Sequence, residues 1–140
     1  MLGKAFILLQ VPQVVTEWVA QANVGPVMFL ILIEAAFTVL GVFMEGIAVM
    51  FVMVPVVYPT AELLGINTLL LGVIFTICVL IAGITPPVAV PLYASSGLFD
   101  VPFESLVRMV WPFLIAIALT MVLITVYPPI SLWLPDLVFG

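Results

Sequence analysis

Long apolar runs, separated by short clusters of proline, glycine and polar side chains, make up most of this chain. Residues 5–22 are the most interrupted stretch, with Gln10, Pro12, Gln13, Thr16, Glu17 and Gln21 spread among apolar positions. Val11, Val14, Val15, Trp18 and Val19 recur at helix-face spacing. They predict an amphipathic helix at a membrane interface, with Trp18 at headgroup level. Asn23-Val24-Gly25-Pro26 marks a turn. Pro26–Met44 is the first run near the roughly 20 residues that a spanning helix needs. Residues 46–60 form a run too short for a second full span, carrying Pro55 and ending at Tyr58-Pro59. Two readings fit: a re-entrant hairpin with its tip at Phe43-Met44-Glu45-Gly46, or one long helix kinked at Gly46 and Pro55. Periodicity does not choose between them.

Thr60–Thr68 is the clearest loop, with Gly65 as a helix stop and Asn67 as an N-cap. Leu69–Ala82 follows, and the small residues Gly72, Thr76 and Gly83 on one face predict close helix packing. Gly83-Ile84-Thr85-Pro86-Pro87 then breaks the pattern. Prolines 86 and 87 have no N–H, and each biases the residue before it away from the α region, so a helix arriving at Gly83 stops there. Carbonyls of its last turn lose their helical partners. At membrane depth such backbone is tolerated only beside protein or a watery cavity. Val88–Leu98 continues beyond the break, with Gly97 as its stop. Pro102 suits the first turn of a helix in which Glu104 and Arg108 stand four apart. Leu106–Tyr127 spans the membrane with Pro112 kinking it, Pro128-Pro129 ends it, and Ile130–Gly140 reads as an interfacial tail. The organisation is therefore an interfacial arm over 1–25, a helix and hairpin over 26–60, a broken helix over 61–105, and a last spanning helix with its tail over 106–140.

Composition makes the membrane reading firm. Of 140 residues, 66% are hydrophobic and 6% charged, against about a quarter charged in soluble domains. Lys4 and Arg108 face seven acids, for a net charge of −5. So few basic residues exclude a nucleic-acid surface and leave the positive-inside rule without a signal. The absence of histidine removes His-based triads and common zinc sites. The acids are too dispersed for a catalytic pair, so the chain does not read as an enzyme. Cys78, alone in an apolar run, reads as a core thiol. Met1-Leu2-Gly3-Lys4 does not read as a signal peptide and looks like a start partway into a longer protein. Glu34, Thr38, Gly41 and Glu45 fall within about a 60° arc of one helix face. That stripe should face protein or water. For Glu34, a protonated, hydrogen-bonded packing role and a functional role both fit; Glu45 also fits a wet turn.

The order Gly41-Val42-Phe43-Met44-Glu45, a proline-bearing run to Pro55 and Pro59, Leu64-Gly65-Ile66-Asn67, then Gly72 through Gly83-Ile84-Thr85-Pro86-Pro87-Val88 resembles one family. It is similar to the C-terminal part of the large membrane (permease) subunit of tripartite ATP-independent periplasmic (TRAP) transporters. Val11-Pro12-Gln13, Trp111-Pro112-Phe113-Leu114 and Ser131-Leu132-Trp133-Leu134-Pro135 fit the same family, so the resemblance covers nearly the whole chain. Two positions depart from it: Ala89 stands where the family commonly has glycine, and Glu45 where a shorter acid is frequent.

The resemblance implies an all-α integral membrane protein, the second inverted repeat of an elevator-type transporter with a re-entrant hairpin and a broken helix. It implies a multi-pass subunit in a bacterial or archaeal inner membrane, working as a sodium symporter. Its substrates would be organic acids, such as C4-dicarboxylates or sialic acid-like sugar acids, delivered by a periplasmic binding protein. A small TRAP membrane subunit and the N-terminal half of the permease, or its split-gene equivalent, would complete the complex. By the same resemblance Gly41, Glu45, Gly46, Gly83, Thr85 and Pro86 would hold the coupling sodium, and Thr85 and Pro87 the substrate. No other metal or cofactor is implied. A small accessory or structural membrane protein, or a fragment without transport activity of its own, is the competing reading.

Overall fold

A computed structural model describes residues 10–86 and 89–139. The described residues form seven α-helices joined by short turns: α1 (Val11–Gln21), α2 (Pro26–Phe43), α3 (Gly46–Leu63), α4 (Thr68–Ile84), α5 (Val90–Phe99), α6 (Phe103–Val126) and α7 (Pro129–Phe139). Among them α2, α3 and α6 are long and apolar enough to cross a membrane, with mean hydropathies of 2.3, 1.7 and 2.4. At 1.5 Å per residue, 18 residues reach about 27 Å, close to the hydrocarbon thickness.

This corrects the expectation for residues 46–60. The helix passes through Tyr58-Pro59 to Leu63, so its 18 residues are spanning length. Pro55 and Pro59 lie inside it, each removing one backbone donor without ending the helix.

Three of the helix ends share one chemistry. Gly65 takes φ +69°, with its N–H on Glu62 O at 3.0 Å and the Ile66 N–H on Ala61 O at 2.9 Å. That is the Schellman pattern, which satisfies the last carbonyls of α3. Asn23 (φ 51°) closes α1 in the same way, through Asn23 N to Ala20 O and Val24 N to Val19 O. At the end of α5, Asp100 (φ 52°) takes this role, so the helix runs past Gly97 to Phe99. Asn67 caps α4 as its side chain predicts, Oδ1 accepting from Leu69 N at 2.8 Å.

The centre of the bundle is α4, which packs against α2, α3, α5, α6 and α7. Ile74, Phe75 and Cys78 on α4 are fully buried, and Phe75 meets Phe37 of α2 with ring centroids 5.5 Å apart. On α4 the opposite side is open: Gly72 and Thr76 are exposed, and a methyl group at Gly72 or Gly83 would meet nothing within 4 Å. The close packing expected of that stripe is absent among the described residues. The glycines that do lie at close contacts are Gly41 and Gly46. For α1, Val19 is buried and Thr16 half-buried on the side toward α3, whereas Val14 and Trp18 are 62% and 56% exposed. The face predicted to act as one apolar surface is thus divided between protein contact and the outside.

Candidate functional site

Four helix ends meet around one cavity of about 310 Å³. Met44, Glu45, Gly46 and Ile47 supply the turn from α2 to α3, Val79, Ala82 and Gly83 the end of α4, and Val90 and Pro91 the start of α5. Local chemistry makes each end. The last turn of α2 closes with Met44 N on Leu40 O at 2.9 Å, after which Met44 and Glu45 are extended. Glu45 then caps α3, its carboxylate accepting from Ala48 N at 3.1 Å. A separate α2 and α3, joined by two extended residues, excludes one long helix kinked at Gly46.

At the end of α4, Thr85 adopts extended backbone (φ −88°, ψ 124°). Its hydroxyl donates to Ile81 O at 2.5 Å, and its N–H reaches Ala82 O at 3.4 Å. The next carbonyl is different. Gly83 O has Pro86 and Pro87 at the two positions that normally supply a helical or 3₁₀ donor, and neither has an N–H. Gly83, which lines the cavity, therefore has a carbonyl without a helical partner.

Close packing holds this arrangement. A methyl group on Gly41 would lie 2.4 Å from Ala82 Cβ, and one on Gly46 would lie 3.1–3.3 Å from Val79 atoms. Gly41 thus sits beneath the cavity, pressed on one of its lining residues. Of the residues expected at the site, Glu45, Gly46 and Gly83 line the cavity together. Thr85 and Pro86 stand just beyond it, half-buried at the end of α4. Pro87 lies outside the described residues. Val79, Ala82, Val90 and Pro91 were not singled out from the sequence, where nothing distinguishes them from other apolar positions.

A second polar contact lies deeper in the bundle. Glu34 of α2, 3% exposed, is hydrogen-bonded to the Thr125 hydroxyl of α6, which also lies 3.0 Å from Met121 O. Thr125 is 91 residues away from its partner, and a lone hydroxyl in an apolar run was its only signal.

Charge at helix ends gives the cavity two characters. The C-termini of α2 and α4 carry partial negative charge and the N-termini of α3 and α5 partial positive charge. An exposed carboxylate, Glu45, stands among them.

These features define a helical membrane protein, with three helices of spanning length and apolarity among the described residues and a cavity where four helix ends meet. Residues 1–130 match the family described as "Tripartite ATP-independent periplasmic transporter, DctM component", and the chain belongs to that family. It is 34% identical over 131 residues to the C4-dicarboxylate TRAP transporter large permease protein DctM of Vibrio cholerae, covering 94% of this chain and 29% of that relative. Identity to the sialic acid TRAP transporter large permease protein SiaM of the same species is 33%, covering 94% of this chain and 31% of that relative. For the ectoine TRAP transporter large permease protein TeaC of Halomonas elongata it is also 33%, covering 93% and 30%. The chain spans about three tenths of the length of the curated relatives it matches.

Proposed function

We propose that this chain is one transport repeat, the second by its ordered motifs, of a sodium-coupled TRAP permease in a bacterial or archaeal inner membrane. It would import organic acids presented by a periplasmic binding protein. The observation that carries the reading is the cavity where Glu45, Gly46 and Gly83 stand among four helix ends. Interrupted helices of this kind hold coupling ions on unwound carbonyls and face anionic groups with helix N-termini. In this reading α2 and α3 enclose a re-entrant tip at Gly41–Gly46, while α4 and α5 are the halves of one broken helix. The Gly83 carbonyl and the Glu45 carboxylate hold sodium, with Gly41, Gly46, Thr85 and Pro86 shaping the backbone around it. Thr85 and Pro87 meet the carboxylate of the substrate. The N-terminal part of the permease and the small membrane subunit complete the complex, and an elevator motion of the two repeats moves the site across the membrane.

The relatives named for dicarboxylates, sialic acid and ectoine support a carboxylate-bearing solute as the candidate substrate. The test is thermal unfolding of the chain assembled with the rest of the permease, in sodium and in potassium. Sodium should stabilise the complex, and Gly83→Leu with Thr85→Ala should abolish the effect. An assembly that transports yet gives no sodium response would remove the ion from this cavity.

The carboxylate of Glu45 and the hydroxyl of Thr85 are both engaged in capping contacts, which favours a second reading as a structural, non-transporting membrane segment. Under it, substitutions of Glu45 and Thr85 alter assembly and leave ion dependence unchanged.

A further inference from the structure

Glu34 is a buried acid that the helix-end cavity does not use. It lies in the middle of α2 and is buried, whereas the six other acidic side chains are all exposed. Its Oε1 is paired with Thr125 Oγ1, and that hydroxyl lies 3.0 Å from Met121 O one turn earlier in α6. A threonine hydroxyl has one proton to give, and an ionised carboxylate can only accept. With Glu34 charged, the Thr125 hydroxyl gives its proton to the carboxylate, and Met121 O keeps the Thr125 N–H of the helix ladder. With Glu34 neutral, its O–H donates to Thr125 Oγ1, and Thr125 donates on to Met121 O. Both hydroxyl protons are then used, whereas a charged Glu34 has the Thr125 hydroxyl as its single donor among the described residues.

Among the described residues no cation is placed to hold the charged form. Arg108 is exposed and 17 residues before Thr125 on the same helix, about 25 Å away at 1.5 Å per residue. Three helices pack on α2. From α4 the neighbouring titratable group is Cys78, whose thiol lies 3.6 Å from Met121 Sδ as a donor. Tyr58 and Glu62 of α3, and Glu104 and Arg108 of α6, are exposed. An unpaired charge buried among Phe37, Cys78 and their apolar neighbours is the costlier alternative by far.

A cavity adjoins the site. Thr125 lines a cavity of about 240 Å³ together with Val27, Leu30, Gly65, Asn67 and Pro128, between the start of α4 and the end of α6. We propose that Glu34 and Thr125 form a proton-binding site that locks α2 to α6, and that the proton exchanges through this cavity. The site is separate from the sodium cavity and stands or falls independently of it.

The experiment is infrared spectroscopy of the chain in lipid nanodiscs at neutral pH, in H₂O and D₂O. The spectrum should contain a carboxylic-acid carbonyl band that shifts in D₂O and is lost in Glu34→Gln. Thr125→Val should keep the band but move it to the position of an acid without that acceptor. Val27→Trp, which fills the mouth of the cavity, should slow deuteration of the band severalfold. A wild-type chain labelled with ¹³C-glutamate that shows only carboxylate bands overturns the proposal, whether or not the Gln variant assembles. An unmoved band in Thr125→Val overturns the pairing, and unchanged deuteration in Val27→Trp overturns the route.

Discussion

Gly41→Ala tests the packing that brings the helix ends together. The added methyl carbon would lie 2.4 Å from Ala82 Cβ and 3.6 Å from Ala82 Cα. Two such carbons rest at about 3.5–4.0 Å, so the ends of α2 and α4 must part by at least about 1 Å. Ala82 has no rotamer to yield, and the strain passes to the backbone. Overpacking of this kind costs about 1–3 kcal/mol, against a gain of up to about 1 kcal/mol for replacing a helical glycine by alanine. Gly72→Ala is the matched control, because it carries the same gain and meets nothing within 4 Å. Denaturant titration in detergent micelles, read by helical circular dichroism, should place Gly41→Ala below Gly72→Ala by about 1–3 kcal/mol. Adding Ala82→Gly to Gly41→Ala should recover much of the loss, giving a favourable coupling in the double-mutant cycle. Equal stabilities for the two alanine variants, or a cycle without coupling, would refute the close approach of α2 and α4.

Asn67→Ala removes the acceptor for Leu69 N and should cost about 1 kcal/mol in the same titration. Gly65→Ala forces a methyl group onto a left-handed residue at φ +69°, for about 1–2 kcal/mol. Glu45→Gln keeps an oxygen for the Ala48 N–H and removes the charge. Thermal unfolding should show it as stable as wild type in potassium but without stabilisation by sodium. Glu45→Ala should lose both.

The helices were legible where the side chain that ends one also acts locally. Asn67 capping α4, Gly65 turning the chain after α3, and the stop before Pro86-Pro87 rest on contacts within a few residues. The end of α5 was misplaced at Gly97 because Asp100 supplied the left-handed turn, which a glycine supplies more often. Prolines misled in α3: Pro55 and Pro59 suggested an end near Tyr58, but a helix that loses single donors can continue when its neighbours support it. Packing was the least legible. The stripe of Gly72, Thr76 and Gly83 is open, while Gly41 and Gly46 carry the close contacts, and spacing along one helix says nothing of which face meets a neighbour. Glu45, Gly46 and Gly83 were assigned to one site by the family resemblance, and the cavity gathers them. The pairing of Glu34 with Thr125 depends on α2 lying beside α6, a tertiary fact beyond any local pattern.

Solute uptake tests the central claim most directly. The chain would be reconstituted in proteoliposomes with the rest of the permease, the small membrane subunit and a binding protein loaded with a labelled organic acid. Uptake should require this chain and an inward sodium gradient, and should fall to background in Gly83→Leu. Uptake that proceeds equally in potassium, or without this chain, would contradict a sodium-coupled repeat.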